Sequence, residues 1–321
     1  MSLDIETPPI YVVTGATAKT GGAVARGLLD HGAKVRVVGR SLDRLQPLID
    51  KGAEPYMADP SDPASMCHAF DGASVAWIML QPNYIADSQD FRGYQTGVIA
   101  GTVPALERSS VRHVVNLSSW GADKADGTGP VVGLHDMEQA LERIPDLNVL
   151  HLRAGYFMEN SLSFATQLLA GDVVSGPFDP NLPMPLVATR DVGTAAVSHL
   201  LASDFKGRQV RELQGERDLS MTDMVAIIGT TLGRPGLRYL QSSREHARAA
   251  MLQAGISPNV AALMMEVIEG INGRTLKTTQ PRTARTTTPT RYELFVSDVW
   301  LPAYLRLANL EAERIQPGEA A

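Results

Sequence analysis

The sequence predicts an α/β fold, a doubly wound parallel sheet followed by a smaller, mostly helical C-terminal lobe. Three observations lead to this prediction. Short apolar runs alternate with helix-type patterns up to Gly155, a glycine turn joins the first run to the first helical pattern, and beyond Gly155 the alternation loosens. Strands that alternate with helices at this interval form βαβ units, which build parallel sheets with right-handed crossovers.

The first strand, residues 10–13, ends in a small-residue turn that opens an apolar-periodic helix. The turn has glycine at 15 and 21, with Ala18 where a third glycine would normally stand. Free backbone N–H groups and the positive end of the helix dipole make such a junction an anion site that a pyrophosphate can approach. This context indicates a Rossmann-type dinucleotide-binding fold, with a plain structural turn as the alternative.

The rest of the first lobe continues the alternation, with Ser41 and either Ser61 or Asp62 as the predicted N-caps of two helices. Strands are predicted at residues 34–38, 54–58, 73–80, 111–117 and 148–152, and helices at 42–49, from 61 or 62 to 70, at 87–107 and at 134–144. We therefore predict that residues 1–155 form an NAD(P)-binding Rossmann domain.

Residues 156–321 are predicted to form a smaller substrate-binding lobe, and part of this segment can contribute to the Rossmann sheet. Helical patterns cover residues 191–202, 221–231, 244–254, 258–271 and 292–307, whereas 171–185 is a break rich in Gly, Pro and Asp. Residues 278–290 combine repeated threonines with prolines and arginines, a composition typical of an exposed loop. Phosphate or RNA binding by this stretch is the disfavoured alternative in an acidic chain.

Composition limits the class of protein. The 35 acidic and 29 basic residues give a formal net charge of −6, which argues against nucleic acid as a partner. Cys67 is the only cysteine, which favours a reducing compartment. The sequence has no long apolar run and starts with polar residues, so we expect no membrane span and no signal peptide. A cytoplasmic protein with a small-molecule substrate is the resulting expectation.

Ligands in such sheets bind outside the carboxyl ends of the strands, which brings five loops to one crevice. The residues predicted to contact a dinucleotide there are Gly15, Thr17, Ala18, Lys19, Thr20, Gly21, Arg40, Asp59, Leu80, Gln81, Pro82 and Ser118. Proteins that prefer NAD usually carry an acid at the end of the second strand, but this chain has Arg40 there. A guanidinium pairs with a 2′-phosphate, and Lys19 adds charge, so NADP(H) is the expected cofactor. The alternative is that both are solvated surface cations.

Several segments together resemble the NmrA-like branch of the atypical short-chain dehydrogenase/reductases. They are residues 15–21, 35–40, Asp59, 116–123, 152–160 and 287–295. The resemblance implies a Rossmann lobe that binds NADP(H) and a small C-terminal lobe that shapes a substrate cleft. The resemblance covers nearly the full chain. The family includes quinone reductases, dye reductases, isoflavone-type reductases and redox-sensing regulators without turnover.

The chain departs from typical short-chain dehydrogenases in its catalytic pattern. Those enzymes use a tyrosine as general acid, with a lysine four residues later, and none of the eight tyrosines here has lysine at that spacing. His135, Ser118 and Tyr156 are the remaining candidates for assistance at the acceptor, and Trp120, Phe157 and Met158 are candidates for substrate contact. Glu138, one turn after His135, would either orient that imidazole or bond locally. Surface, capping and core roles are the alternatives for all of them.

The function expected from these residues is an NADPH-dependent reductase that transfers hydride to a flat conjugated acceptor such as a quinone. Quinones accept hydride readily, so a dedicated proton donor is less necessary than for a simple ketone. The alternative is a non-catalytic NADP(H)-binding redox sensor that binds a regulatory protein partner. A homodimer is a further expectation for the assembly.

Overall fold

The computed structural model describes residues 8–80 and 86–315. Its strands are β1 (Ile10–Val13), β2 (Lys34–Gly39), β3 (Glu54–Met57), β4 (Val75–Met79), β5 (His113–Ser119), β6 (Asn148–Ala154), β7 (Tyr156–Phe157), β8 (Val173–Gly176), β9 (Met184–Val187), β10 (Arg208–Leu213), β11 (Asp218–Leu219) and β12 (Arg238–Gln241). Seven of them form one parallel sheet in the order β10-β6-β5-β4-β1-β2-β3.

The helices lie on both faces of this sheet and in the C-terminal lobe. They are α1 (Lys19–Asp30), α2 (Leu42–Ile49), α3 (Pro63–Phe70), α4 (Phe91–Glu107), α5 (Val132–Glu142), α6 (Phe164–Ala170), α7 (Thr189–Ala202), α8 (Met221–Leu232), α9 (Arg244–Gln253), α10 (Pro258–Asn272), α11 (Tyr292–Phe295) and α12 (Leu301–Ile315). Short 3₁₀ segments cover Gly129–Val131 and Met158–Ser163, and Val296–Trp300 is a π-helical turn. Within the described ranges, no helix combines the length and apolarity that crossing a bilayer requires.

The two faces of the sheet bury two separate apolar layers, as the period of two along a strand requires. In β1, Tyr11 and Val13 pack toward α1, α2 and α7, whereas Val12 packs toward α3, α4 and α5. Helix α7 lies against α1 so closely that a Cβ on Gly193 would be 2.6 Å from the Cβ of Ala23. The predicted fold class is therefore confirmed, and β10 and α7, from beyond residue 155, complete the sheet and one of its helical layers.

The C-terminal lobe has its own core around Tyr292, Phe295 and Trp300, each no more than 1% exposed. Two small sheets, ordered β11-β9-β7 and β12-β8, pack on this core. Strand β8 lies in, and β9 begins in, the stretch 171–185, for which only a Gly/Pro/Asp-rich break is predicted. Each has four residues, too few for a period-two pattern to stand out among turn residues.

The strap of residues 278–290 is more enclosed than its composition predicts. Residues 281–285 are exposed, but Thr286, Thr288 and Thr290 are each 5% exposed. Buried carboxylates of the sheet and of α7 hold its two ends. Glu212 of β10 accepts from the backbone N–H of Thr279 (2.8 Å) and Gln280 (3.0 Å), and Asp191 accepts from that of Thr290 (2.9 Å). The prediction of a wholly exposed loop is wrong, because its partners are distant in sequence.

Two element boundaries that matter for the crevice also differ from the prediction. Helix α4 begins at Phe91 rather than at residue 87, because Asp90 caps it by accepting from the Gly93 N–H at 2.8 Å. Strand β5 continues to Ser119, where it is in register with Ala154 of β6. Ser118 is therefore a strand residue opposite Arg153, not a loop residue after the strand.

Candidate functional site

The glycine turn between β1 and α1 is a closely packed backbone loop. Gly15 has φ +62°, a left-handed conformation that favours glycine, and its carbonyl accepts from the Ala18 N–H at 2.9 Å. A Cβ on Gly21 would be only 2.3 Å from that same carbonyl oxygen. Ala18 has ordinary extended backbone, φ −83° and ψ 163°, so this position does not require glycine.

The start of α1 fits an anionic group such as a dinucleotide pyrophosphate. Its N-cap residue, Ala18, makes no side-chain capping bond, and the first turn contains no acidic residue. The N–H groups of this turn and the positive end of the helix dipole thus face the crevice without an acidic competitor. Lys19 is exposed at this point, and Thr20 is buried with its hydroxyl 3.9 Å from Met79 Sδ. Thr17 lies half-buried in the turn.

Arg40, Asp59 and Tyr94 lie together at the far end of the crevice. Arg40 follows β2, and Asp59 follows β3, where it accepts from the Ser61 N–H at 2.9 Å. Burial raises the pKa of Tyr94, while the charge of Arg40 lowers it and that of Asp59 raises it. Both charges are therefore close to the Tyr94 hydroxyl. Leu80 is 5% exposed at the end of β4, and the predicted contacts Gln81 and Pro82 lie outside the described residues.

Ser118, Glu138 and Arg153 form a buried network where β5, α5 and β6 meet. The Glu138 side chain is 1% exposed and the Arg153 side chain 12%. Arg153 donates to both Glu138 oxygens, from Nε at 3.0 Å and from Nη2 at 2.6 Å, and Ser118 Oγ donates to Oε1 at 2.5 Å. Burial acts to lower the pKa of Arg153, but the hydrogen bond and charge of Glu138 outweigh it and raise that pKa. Glu138 thus bonds to Ser118 and Arg153.

A second pair of buried polar side chains lies two residues before Ser118 and Arg153 on the same two strands. Asn116 and His151 are in register on β5 and β6, both are 0% exposed, and Asn116 Nδ2 lies 3.0 Å from His151 Nδ1. The amide nitrogen only donates, so His151 Nδ1 accepts and the neutral ring carries its proton on Nε2, 3.5 Å from Glu142 Oε1. Burial lowers the pKa of His151 to about 4. His151 therefore stays neutral in the folded protein at neutral pH.

We expect His151 to lower the free energy of unfolding at acid pH. The unfolded chain protonates this ring near pH 6.5 but the folded chain only near pH 4, so between these values the unfolded state binds more protons. Stability then falls as the pH drops from about 6.5 to about 4, by about 3 kcal/mol in total. Urea unfolding across this range should show a shallower acid slope for His151→Gln than for the wild type. His246→Gln, on an exposed residue of α9, is the matched control; equal slopes in all three proteins would contradict the assignment.

His135 is on the first turn of α5 and is half-buried. Its Nδ1 lies 2.9 Å from the carbonyl oxygen of Ala122. A carbonyl only accepts, so Nδ1 carries a proton and Nε2 is the nitrogen that remains for a ligand. The neutral ring can accept a hydrogen bond at Nε2, and only the charged ring can donate one there.

The segment after β6 begins the C-terminal lobe at the crevice edge. Tyr156 and Phe157 are half-buried; the Phe157 ring packs against the core under α1 and α7. Met158 is 2% exposed and Trp120 7%, and both lie in the core of the C-terminal lobe, which favours packing over substrate contact. The Tyr156 ring lies edge-on to Phe178, with ring centroids 5.6 Å apart.

Two residues of this region are not among the predicted site residues. Arg153 lies within one of the segments that resemble the family, but its ion pair with Glu138 depends on how α5 packs over β6, which no local sequence pattern gives. Phe178 follows β8, inside the Gly/Pro/Asp-rich stretch that is predicted only as a break. Over residues 8–80 and 86–315, His, Cys, Asp and Glu side chains form no group of three placed to hold a metal ion.

A family model described as the NmrA-like family matches residues 10–286. A curated relative from Streptomyces griseus, named (4-alkanoyl-5-oxo-2,5-dihydrofuran-3-yl)methyl phosphate reductase, is 28% identical over 286 residues, which are 88% of this chain and 95% of the relative.

Solved structures show the same fold at low identity. An NADPH-dependent quinone oxidoreductase from Escherichia coli, complexed with NADPH, has a TM-score of 0.77 and 21% identity, covering 91% of this chain and 99% of its own. A triphenylmethane reductase from Citrobacter sp. has a TM-score of 0.76 and 18% identity, with the same coverage of 91% and 99%.

Proposed function

The chain belongs to the NmrA-like family, and on that premise we propose that it is an NADPH-dependent reductase that transfers hydride to a flat conjugated acceptor. The observation that carries the proposal is the junction of β1 and α1. There, a left-handed Gly15 and an uncapped, acid-free helix start lie along the same crevice as the exposed cations Lys19 and Arg40. When bound, the nicotinamide supplies the hydride, and the protein supplies binding and orientation.

The residues of the crevice have distinct binding roles in this proposal. The first turn of α1, with Gly15, Gly21 and Lys19, holds the pyrophosphate, and Arg40 pairs with the 2′-phosphate. A carboxylate at position 40 would repel that phosphate. Asp59, held in place by its bonds to Ser61, acts with its charge on Tyr94, as Arg40 does, and would accept a hydrogen bond from the adenine amino group.

The proposed acceptor class comes from the names of the relatives and from the side chains of the crevice. Quinones, triphenylmethane dyes and the 5-oxo-2,5-dihydrofuran ring are all conjugated acceptors of hydride. A quinone or an unsaturated lactone delocalises the negative charge that hydride addition leaves, whereas a cationic triphenylmethane dye is neutralised by it. Such acceptors depend little on a strong proton donor. The Ser118 hydroxyl is consistent with this, because it already donates to the buried Glu138.

The experiment that tests this function is NADPH oxidation by the purified full-length chain with quinones, triphenylmethane dyes, conjugated enones and imines. Turnover with a conjugated acceptor, and none with simple saturated ketones, is the expected result. Tight NADPH binding without turnover on any acceptor would overturn the reductase. Failure to bind NADPH would overturn the cofactor assignment as well.

Arg40→Ala should weaken NADPH binding much more than NADH binding. Charge-assisted hydrogen bonds contribute about 1.5–3 kcal/mol, so the Kd for NADPH should rise roughly 10- to 150-fold, while that for NADH changes by less than about threefold. Titration of nicotinamide fluorescence measures both. Arg44→Ala, an exposed cation of α2, controls for general loss of charge. Equal weakening of both nucleotides by Arg40→Ala would disprove the assignment of Arg40 to the 2′-phosphate.

A second candidate function is a non-catalytic NADP(H) sensor with a regulatory protein partner. Two observations favour it. The Ser118 hydroxyl donates to Glu138 of the buried Glu138–Arg153 pair, and the sequence has no Tyr-x-x-x-Lys pattern. The two candidates share the cofactor site and differ only in turnover. The oxidation assay therefore separates them.

A further inference from the structure

A short loop of the C-terminal lobe, residues 177–179, holds an aromatic ring at the edge of the crevice. Phe178 is half-buried, and its ring lies nearly perpendicular to that of Tyr156, at 81° with centroids 5.6 Å apart. Tyr156 lies two residues after the end of β6. Because ligands of a parallel sheet bind beyond the carboxyl ends of its strands, the Tyr156–Phe178 pair borders the acceptor end of the crevice.

Hydrogen bonds to β12 and α10 fix the backbone of this loop. The Phe178 N–H donates to Tyr239 Oη at 3.1 Å, the Asp179 N–H donates to Asn272 Oδ1 at 2.9 Å, and Asn272 Nδ2 donates to the Pro177 carbonyl at 2.9 Å. Tyr239 is 7% exposed, and burial raises its pKa to about 12, so its hydroxyl stays neutral. The loop is therefore bonded on both sides of Phe178, to β12 and to α10.

The Phe178 ring also joins two apolar clusters. It packs against the C-terminal core and against the small cluster of Ala247, Met265 and Ile268, which α9 and α10 form. An irregular loop that is bonded on both sides and packed in this way holds its aromatic ring in one orientation. A ring held in advance binds a flat ligand at a lower entropic cost than a mobile one.

Resting on the proposed reductase function, we infer that Phe178 is a specificity-determining residue that forms an aromatic wall with Tyr156 for planar acceptors. The two rings are perpendicular, so a flat conjugated ligand can stack on one ring while its edge meets the other. A compact, non-aromatic acceptor has too little π surface to gain from this wall. The substrate class that the wall selects is therefore fused or extended planar rings.

Phe178→Leu should raise both the KM and the Kd for a naphthoquinone roughly tenfold, with kcat changing less. The KM for a small acyclic enone and the Kd for NADPH should each change by less than about twofold. Naphthoquinone binding is measured directly, by quenching of protein fluorescence in the NADP⁺-saturated full-length chain. Phe178→Tyr keeps the ring and should keep both constants within about threefold of the wild type.

Tyr304→Leu is the matched control. It removes another half-buried ring, one that stacks on Trp300 and belongs to α12, which packs on α6. An unchanged naphthoquinone Kd in Phe178→Leu, or equal weakening of naphthoquinone and enone, would overturn the wall. If no acceptor is turned over but naphthoquinone binds and Phe178→Leu loses that binding, the wall holds and the reductase function fails.

Discussion

Replacing Glu138 with alanine should lower the free energy of unfolding by about 3–5 kcal/mol. The substitution leaves Arg153, whose side chain is 12% exposed, without the carboxylate that accepts from its Nε and Nη2. It also removes the acceptor of the buried Ser118 hydroxyl. An uncompensated buried charge costs more than the intact pair contributes, which is why the expected loss is large. Urea unfolding at neutral pH measures it.

The double variant Glu138→Leu with Arg153→Met separates the cost of an unpaired charge from the cost of lost packing. Apolar side chains of similar volume remove both charges together, so the double variant should be more stable than Glu138→Ala alone. Glu142→Ala, which removes a carboxylate one turn further along α5 with 32% of its side chain exposed, should cost much less. A loss of less than about 1 kcal/mol in Glu138→Ala would contradict the role of the pair.

Gly21→Ala should weaken NADPH binding roughly 5- to 150-fold, which corresponds to about 1–3 kcal/mol of overpacking in the turn. The added Cβ would lie 2.3 Å from the Gly15 carbonyl oxygen and 2.7 Å from its carbon, both of them backbone atoms. The turn must open to accommodate it. The N–H groups at the start of α1 would then move relative to Gly15. Fluorescence titration with NADPH, alongside urea unfolding of the free protein, measures the effect.

Ala18→Gly is the control for the same turn. Ala18 has extended backbone and is the N-cap of α1, so removing its methyl group relieves no strain and should change the NADPH Kd by less than about threefold. A Gly21→Ala protein that binds NADPH as tightly as the wild type would show that this turn does not contact the pyrophosphate. A large gain in affinity from Ala18→Gly would show that its methyl group obstructs the cofactor.

The features that the sequence predicts well depend on residues close together in the chain. The turn at Gly15 and Gly21, the caps of α2 and α3 by Ser41 and Asp62, and the helices α8 and α10 all follow from local patterns. Local patterns work here because backbone conformation, capping and the period of burial are decided within a few residues. The short strands β8 and β9 carry too little of such a pattern.

The chemistry of the crevice depended on the tertiary structure. Local sequence was sufficient for a Rossmann-type sheet, a glycine turn at a helix start and Arg40 at the end of the second strand. Only the folded chain places Arg153 on Glu138, directs the Ser118 hydroxyl into that pair and brings Phe178 to Tyr156. Strand register and the packing of the two lobes decide these contacts. Neither can be deduced from spacing, because the partners lie 15 to 22 residues apart in the chain and meet only when the chain folds.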